Sequence, residues 1–311
     1  MNPVLGHVFG EPIPAYFTLL MVGFAVATVQ AARFAKRAGL DHEVIIDLAL
    51  LCVVAGVLGG RVLHVLADGY FWDYVHLCTD PHQVVWQTVE TRAECVRLEG
   101  QWDGALCHAK TRDCFAWAEF WNGGLAYYGG LFAASAAGLW WLRRERFPLG
   151  HGVDAVGAAL PLGIFFGRLG CFFGGCCFGV TTHGPLGLVF PAYSAVSEQQ
   201  MRQGLLASKA LPSLPVHPTQ LYEAGGCLVV AAFLTFYLHP RKRFHGQVLL
   251  WFLGLYAVLR FAIEYLRNDD RGAILGLSTS QFLGVCILLV VLLLYRPLAR
   301  GASTSSDAVN G

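Results

Sequence analysis

About seven apolar runs, each near the ~20 residues that a bilayer demands of a spanning helix, decide what this chain can fold into. They lie near 15–33, 44–66, 120–142, 152–174, 218–238, 246–266 and 278–295. In hydrocarbon, backbone N–H and C=O groups must pair within the segment, so such runs form helices. Charged residues are 14% of the 311 and hydrophobic residues 55%, whereas a soluble domain carries about 25% charged residues. The expected fold class is an all-α polytopic membrane protein of about seven transmembrane helices with a small extracytoplasmic head. A single transmembrane domain should cover 1–298, and the Ser- and Ala-rich stretch 299–311 should be a disordered cytoplasmic tail. With a net charge of +1 and no basic face, the chain is not expected to bind nucleic acid. The first residues lack the basic n-region of a cleavable signal peptide.

Basic residues set the orientation. Arg33, Lys36 and Arg37, then Arg143, Arg144 and Arg146, then Arg241, Lys242 and Arg243, and finally Arg296 and Arg300 follow alternate spans. They share one side, which is expected to be the cytoplasm, with the N-terminus outside. The long loop 69–119 is then outside and holds Cys78, Cys95, Cys107 and Cys114. Disulfides suit that compartment, in any of three pairings. A metal site helped by His76, His82 and His108 is the rival, but the spacing matches no zinc pattern. A second outer segment, 180–216, is rich in Gly, Pro and Ser and should form a small head or lid.

The stretch Gly167-Arg168-Leu169-Gly170-Cys171-Phe172-Phe173-Gly174-Gly175-Cys176-Cys177-Phe178-Gly179 closes the fourth apolar run. An arginine in hydrocarbon costs roughly 2.5–3.5 kcal/mol by insertion scales, so it faces a cavity or a partner charge. Arg61 ends the second run, after Gly59-Gly60. The third opens on Trp121-Asn122-Gly123-Gly124-Leu125-Ala126-Tyr127-Tyr128-Gly129-Gly130. The fifth opens on His217-Pro218-Thr219-Gln220-Leu221-Tyr222-Glu223. Glu223 is deep enough that it should meet an Arg or be protonated. Arg260 and Glu264 are an i,i+4 pair, with Arg267 on the same side. Snorkelling and structural salt bridges are the plain explanation of such residues. Even so, Arg61, Arg168 and Arg260 against Glu223 and Glu264 leave positive charge for an anion. Guanidinium planes hold phosphate bidentately, and the abundant outward-facing phosphate of a membrane is a phospholipid headgroup.

These motifs resemble prolipoprotein diacylglyceryl transferase, over most of the chain except the cysteine-rich loop. Tyr16 with Leu-Met-Val-Gly-Phe, Gly59-Gly60-Arg61, Gly123-Gly124 with Gly129-Gly130-Leu131, Gly167-Arg168-Leu169-Gly170, His217 to Glu223, and Arg260-Phe261 with Glu264 and Arg267 carry the likeness. The resemblance implies transfer of a diacylglyceryl group from phosphatidylglycerol to the thiol of a lipobox cysteine in a lipoprotein precursor, with glycerol phosphate leaving. It implies a multi-pass protein of the bacterial inner membrane, with the active site facing the periplasm. Arg168, Arg260, Tyr16, Tyr128 and Cys171 take the catalytic positions. Arg61, Gly124, Gly170, Cys176, Gly179, His217, Gln220, Tyr222, Glu223, Glu264 and Arg267 take substrate-binding ones. No cofactor or metal is called for.

Three polar positions near the expected reaction centre depart from the family. The family signature runs Gly-Arg-x-Gly-Asn-Phe-x-Asn, with a Glu a little further on. Here Cys171 stands at an Asn position, Cys176 where the Glu would be, and Tyr128 where a His is proposed as base. Tyrosine is a poor base near neutrality, its ordinary pKa being about 10. The arginines alone could lower the pKa of the incoming thiol. Three readings of Cys171, Cys176 and Cys177 stay open: small apolar packing groups, catalytic or redox thiols, or ligands of a soft metal. A diverged paralogue using these thiols, or a non-catalytic phospholipid-binding relative, are the alternatives to the family reaction.

Overall fold

The computed structural model describes residues 4–8, 11–86, 92–120, 124–267, 273–274 and 276–307. Trp121, Asn122 and Gly123, part of the motif opening the third run, lie outside the described residues. In chain order the helices are α1 (Ala15–Arg37), α2 (Glu43–Ala67), α3 (Phe71–Thr79), α4 (Arg92–Arg97), α5 (Tyr127–Arg144), α6 (Leu149–Gly174), α7 (Ala195–Arg202), α8 (Thr219–Ala232), α9 (Gln247–Glu264) and α10 (Thr279–Asp307). The antiparallel hairpins are β1 (Val4–Val8) with β2 (Glu11–Pro14), β3 (Gln101–Trp102) with β4 (Cys107–His108), and β5 (Ala273–Ile274) with β6 (Leu277–Ser278).

Among the described residues, six helices are long and apolar enough to cross a membrane: α1, α2, α6, α8 continued to Arg241, α9 and α10. The protein is therefore a multi-pass helical membrane protein. Where the third span is expected there is a helix, α5, which begins only at Tyr127 and ends in Arg143 and Arg144, and it is not among those six. Helix α10 runs on to Asp307, into the stretch expected to be a tail, and 308–311 lie outside the described residues.

The chain divides into two compact units, 1–45 with 148–311, and 46–147. In the first, small residues let helices approach closely, as they do where lipid offers no hydrophobic drive between helices. A Cβ on Gly23 would stand 2.5 Å from Phe166 Cβ, so α1 lies tight on α6. One on Gly157 would stand 2.6 Å from Leu249 Cα, and one on Gly226 would stand 2.6 Å from the Leu259 methyls. Helix α6 thus meets α9, and α8 meets α9. One end of this unit is tied by Asp154, fully buried, whose Oδ2 accepts from Lys242 Nζ at 2.8 Å and whose Oδ1 accepts from Val248 N at 2.9 Å. The basic clusters after α1 and α8 lie at that end, where Phe34 stacks on His239.

The segment 180–216 shares a small core with the stretch before it: Phe190, Val196 and Val216 pack with Phe178, and Phe172 lies against them. Ser194 caps α7 by accepting from Ser197 N at 3.2 Å, satisfying one of the N–H groups a helix start leaves open. In the second unit the loop after α2 is stapled by Cys78–Cys114 and Cys95–Cys107, which resolves the three possible pairings.

Candidate functional site

Five helix ends meet opposite the Asp154 end of the first unit. Helix α6 stops in a Schellman motif. Gly175 takes the left-handed conformation at φ 70°, Gly175 N–H donates to Phe172 O at 3.2 Å, and Cys176 N–H donates to Cys171 O at 3.1 Å. This motif usually sets an apolar contact between the residues at its two ends, and here they are Cys171 and Cys176. Cys177 follows at φ 61°, a conformation costing a non-glycine residue on the order of 1 kcal/mol. The turn brings the sulfurs of Cys171, Cys176 and Cys177 within 4.8 Å of one another. Cys171 is buried, and the other two are partly exposed.

Helix α8 holds this turn in place. Thr219 Oγ1 donates to Cys177 O at 2.8 Å, and Gln220 Nε2 donates to Cys176 O at 2.6 Å. Gly179 N donates to His217 O at 2.9 Å, and Val180 N donates to Leu266 O at 2.8 Å. A Cβ on Gly179 would collide with Leu266 O, so only glycine lets the chain pass between His217 and the end of α9. Arg267, just beyond α9, pairs in a β-bridge with Gly179 and hydrogen-bonds the Cys177 sulfur. Hydrogen bonds with Cys171 and Cys176, joined by the one from Arg267, hold the Cys177 thiol below its ordinary range. Cys176 is pushed up by its hydrogen bonds to Cys171 and Cys177.

Two ion pairs line the same end. Arg168 Nε stands 3.0 Å from Glu223 Oε2, and Glu223 Oε1 accepts from Tyr256 Oη at 2.8 Å. One turn along α9, Arg260 Nη2 stands 2.7 Å from Glu264 Oε2, while Glu264 Oε1 accepts from Ser278 Oγ at 2.8 Å. Arg260 also reaches Ser280 Oγ at 3.4 Å, tying α9 to the start of α10. Tyr16, at the start of α1, lies against Gly170, where an added Cβ would stand 3.2 Å from Tyr16 Cδ2. His217 Nδ1 and Tyr222 Oη are 3.2 Å apart. Three arginines and two carboxylates thus share this end, and the formal balance is positive.

The sequence reading is brought together here for Tyr16, Arg168, Gly170, Cys171, Cys176, Gly179, His217, Gln220, Tyr222, Glu223, Arg260, Glu264 and Arg267. Arg61, Gly124 and Tyr128 belong to the second unit. There the Arg61 fork grips backbone carbonyls: Nε on Trp117 O at 2.6 Å, Nη2 on Ala116 O at 2.6 Å and Nη1 on Gly124 O at 3.0 Å. Its guanidinium also lies over Tyr74, 5.2 Å from the ring centroid. Gly124, at φ 71°, has no room for a side chain beside His64 and Arg61. Tyr128 opens α5 and is partly exposed.

The profile of prolipoprotein diacylglyceryl transferase matches residues 3–92 and 104–296. The chain belongs to that family. A Clostridium perfringens protein named phosphatidylglycerol–prolipoprotein diacylglyceryl transferase 2 is 26% identical over 298 residues, covering 95% of this chain and 94% of its own. A Clostridium tetani protein named phosphatidylglycerol–prolipoprotein diacylglyceryl transferase is 25% identical over 291 residues, 93% of this chain and 95% of its own. One from Xanthomonas oryzae is 36% identical over 156 residues, about half of each chain. The family match breaks over 93–103, which holds Cys95, so the second disulfide joins a segment outside the match to Cys107 within it.

The family motifs did not single out Tyr256, Ser278 or Ser280, which orient the carboxylates and Arg260. Tyr256 carried one signal, its place one turn before Arg260. His64 was also missed. Its Nδ1 lies 2.8 Å from Asp68 Oδ2 and its Nε2 lies 3.3 Å from Tyr74 Oη.

Proposed function

We propose that the protein transfers the diacylglyceryl group of phosphatidylglycerol to the cysteine thiol of a prolipoprotein lipobox, releasing glycerol phosphate. Membership of the family supports this reading. The observation that carries it is the pairing Arg168–Glu223–Tyr256 one helical turn from Arg260–Glu264. Guanidinium groups fixed in that way are preorganised for the charge that grows on a departing phosphate, and they need not rearrange as the reaction proceeds. Tyr16, packed on Gly170, positions the headgroup. Glu223 and Glu264 orient the arginines. Cys171 and Cys176 occupy the positions of polar family residues beside them.

In this reading the chain has seven spans, α5 being the third, with the N-terminus outside and the end of α6, the start of α8 and the end of α9 on the periplasmic face of the inner membrane. The basic clusters at the opposite end support this orientation. The two disulfides agree with an oxidising compartment for the loop. In the second unit, Arg61 holds the backbone carbonyls of Ala116, Trp117 and Gly124, and Tyr128 stands at the family's His position.

The test is mass spectrometry of a lipobox peptide incubated with the purified protein and phosphatidylglycerol. A diacylglyceryl adduct on the cysteine supports the transferase. Phospholipid binding without an adduct would select a lipid-binding relative and overturn it.

A further inference from the structure

We propose that Cys171, Cys176 and Cys177 hold a zinc ion whose fourth position takes the acceptor thiol of the incoming peptide. The inference rests on the reading of function above, and it supplies the thiol activation that the family's replaced polar residues no longer offer.

The geometry argues first. Three sulfurs from one turn converge within 4.8 Å of one another, and all three are free thiols. Zinc binds thiolate sulfur at about 2.3 Å in tetrahedral arrangement, which sets sulfurs about 3.8 Å apart. Closing onto an ion therefore asks no pair to move by more than about 1 Å. The Schellman turn fixes Cys171 against Cys176, and the left-handed backbone of Cys177 turns its sulfur toward them. Hydrogen bonds from Thr219 and Gln220 to the carbonyls of Cys177 and Cys176 brace the ligands from behind, the kind of outer support that metal ligands depend on.

The chemistry argues next. Thiolates select zinc or copper(I) over hard cations. Three protein ligands with an open fourth position is the arrangement of catalytic zinc, whereas structural zinc is closed by four. Among the described residues no further His, Cys, Asp or Glu joins this group. The partial exposure of Cys176 and Cys177 leaves one side open. A zinc with four thiolates is doubly anionic, and Arg267, bonded to Cys177, and Arg168, one turn before Cys171, offset that charge.

The reaction then balances without an oxidant or reductant. A thiol that coordinates zinc is deprotonated outright, and its proton passes to water on the open side. The thiolate lone pair attacks the glyceryl carbon bonded to the phosphate oxygen. A C–S bond forms, the C–O bond breaks, and glycerol phosphate leaves with the electron pair beside the arginines. The thioether product is a neutral, weak ligand and dissociates.

The experiment uses the full protein in detergent. Elemental analysis after incubation with zinc and desalting should give one zinc per chain in the wild type and in Cys286→Ser. Cys171→Ser and Cys176→Ser should bind it more than about 100-fold more weakly, since even outer-shell changes cost 10–100-fold. Cobalt(II) substitution of the wild type reads the ligands without relying on variants. Its sulfur-to-metal charge-transfer absorption should match three thiolates and rise toward four on adding a lipobox peptide, but not the same peptide with Ser for Cys. Copper(I) retained in place of zinc, a disulfide among the three cysteines, or a cobalt spectrum unaffected by Cys171→Ser would each overturn the site. Undiminished adduct formation by protein stripped with chelator would overturn the site and leave the transferase standing. Zinc and peptide bound with no adduct ever formed would overturn the transferase reading and leave the metal site standing.

Discussion

Glu223 is wholly buried with its Oε2 3.0 Å from Arg168 Nε, so neither charge stands alone in the membrane interior. Removing one partner of a buried pair leaves an uncompensated charge and costs about 3–5 kcal/mol. Glu223→Ala should therefore lower the thermal unfolding temperature in detergent sharply. Glu223→Gln should lower it less, because an amide still reaches the Tyr256 hydroxyl. Equal losses in the two variants would show that the hydrogen bond to Tyr256 recovers nothing and that the missing charge opposite Arg168 accounts for the whole effect.

Arg168→Lys keeps the charge and the pairing with Glu223 but loses the planar fork that fits a phosphate. Removing one preorganised donor to a developing oxyanion typically costs 10²–10³ in kcat. The expected result is a fall of about 10²-fold in kcat for diacylglyceryl transfer, with the unfolding temperature nearly kept. A change confined to KM would assign Arg168 to ground-state headgroup binding.

What could be read from the sequence was what hydrocarbon forces. Arg168, Glu223 and the i,i+4 pair Arg260–Glu264 announce themselves because unpaired charge is costly there, and both carboxylates meet arginines. The long spans announce themselves because apolar length is conspicuous. Helix α5 is the weak case, since its core is diluted by glycine, serine and a pair of terminal arginines. Pattern alone did not reveal the grip of Arg61 on the carbonyls of Ala116, Trp117 and Gly124, because a backbone acceptor has no sequence signature. The convergence of Cys171, Cys176 and Cys177 was equally hidden. It depends on two left-handed residues within three positions, Gly175 and Cys177. Arg267 was expected on the Arg260 face, but its backbone leaves the helix to bridge Gly179.

The resemblance to the family sets Tyr128 at a position where a His is expected. Its phenol is a poor base near neutrality, and in the structure it is partly exposed at the start of α5. If thiol activation lies with the cysteines and arginines of the other unit, Tyr128→Phe should keep transfer within a few-fold of wild type. Loss of 10²-fold or more, the scale of general base catalysis, would put Tyr128 in the proton path.

The placement of charge predicts topology. A reporter that is active only in the cytoplasm should report when fused in the 241–243 loop, and should be silent when inserted in the 180–216 segment. The thiols of Cys78, Cys95, Cys107 and Cys114 should resist alkylation until reductant is added. Signals on the reverse sides would invert the orientation and place the thiols of the α6 turn in a reducing compartment.

His108 carries a pH signature of its own. Nδ1 lies 2.7 Å from His82 O, and Nε2 lies 3.0 Å from Asp103 Oδ2. Both partners only accept, so both ring nitrogens must carry protons and the imidazolium is the species that fits. Hydrogen bonding to Asp103 and then His82 raises the His108 pKa above 6.5. Backbone N–H groups of Leu106 and Ala105, then His108, lower Asp103 from 3.8 to about 2. A raised base stabilises the fold below its unfolded pKa, and that contribution is lost as pH rises through the folded value. A lowered acid stabilises above its unfolded pKa and is lost as pH falls through the folded one. The β3–β4 hairpin is accordingly held best between 3.8 and 6.5, where both groups are charged. Asp103→Asn should bring the His108 titration, followed by NMR of its ring protons, down toward the ordinary histidine value. An unchanged titration would mean that the His82 carbonyl alone sets it.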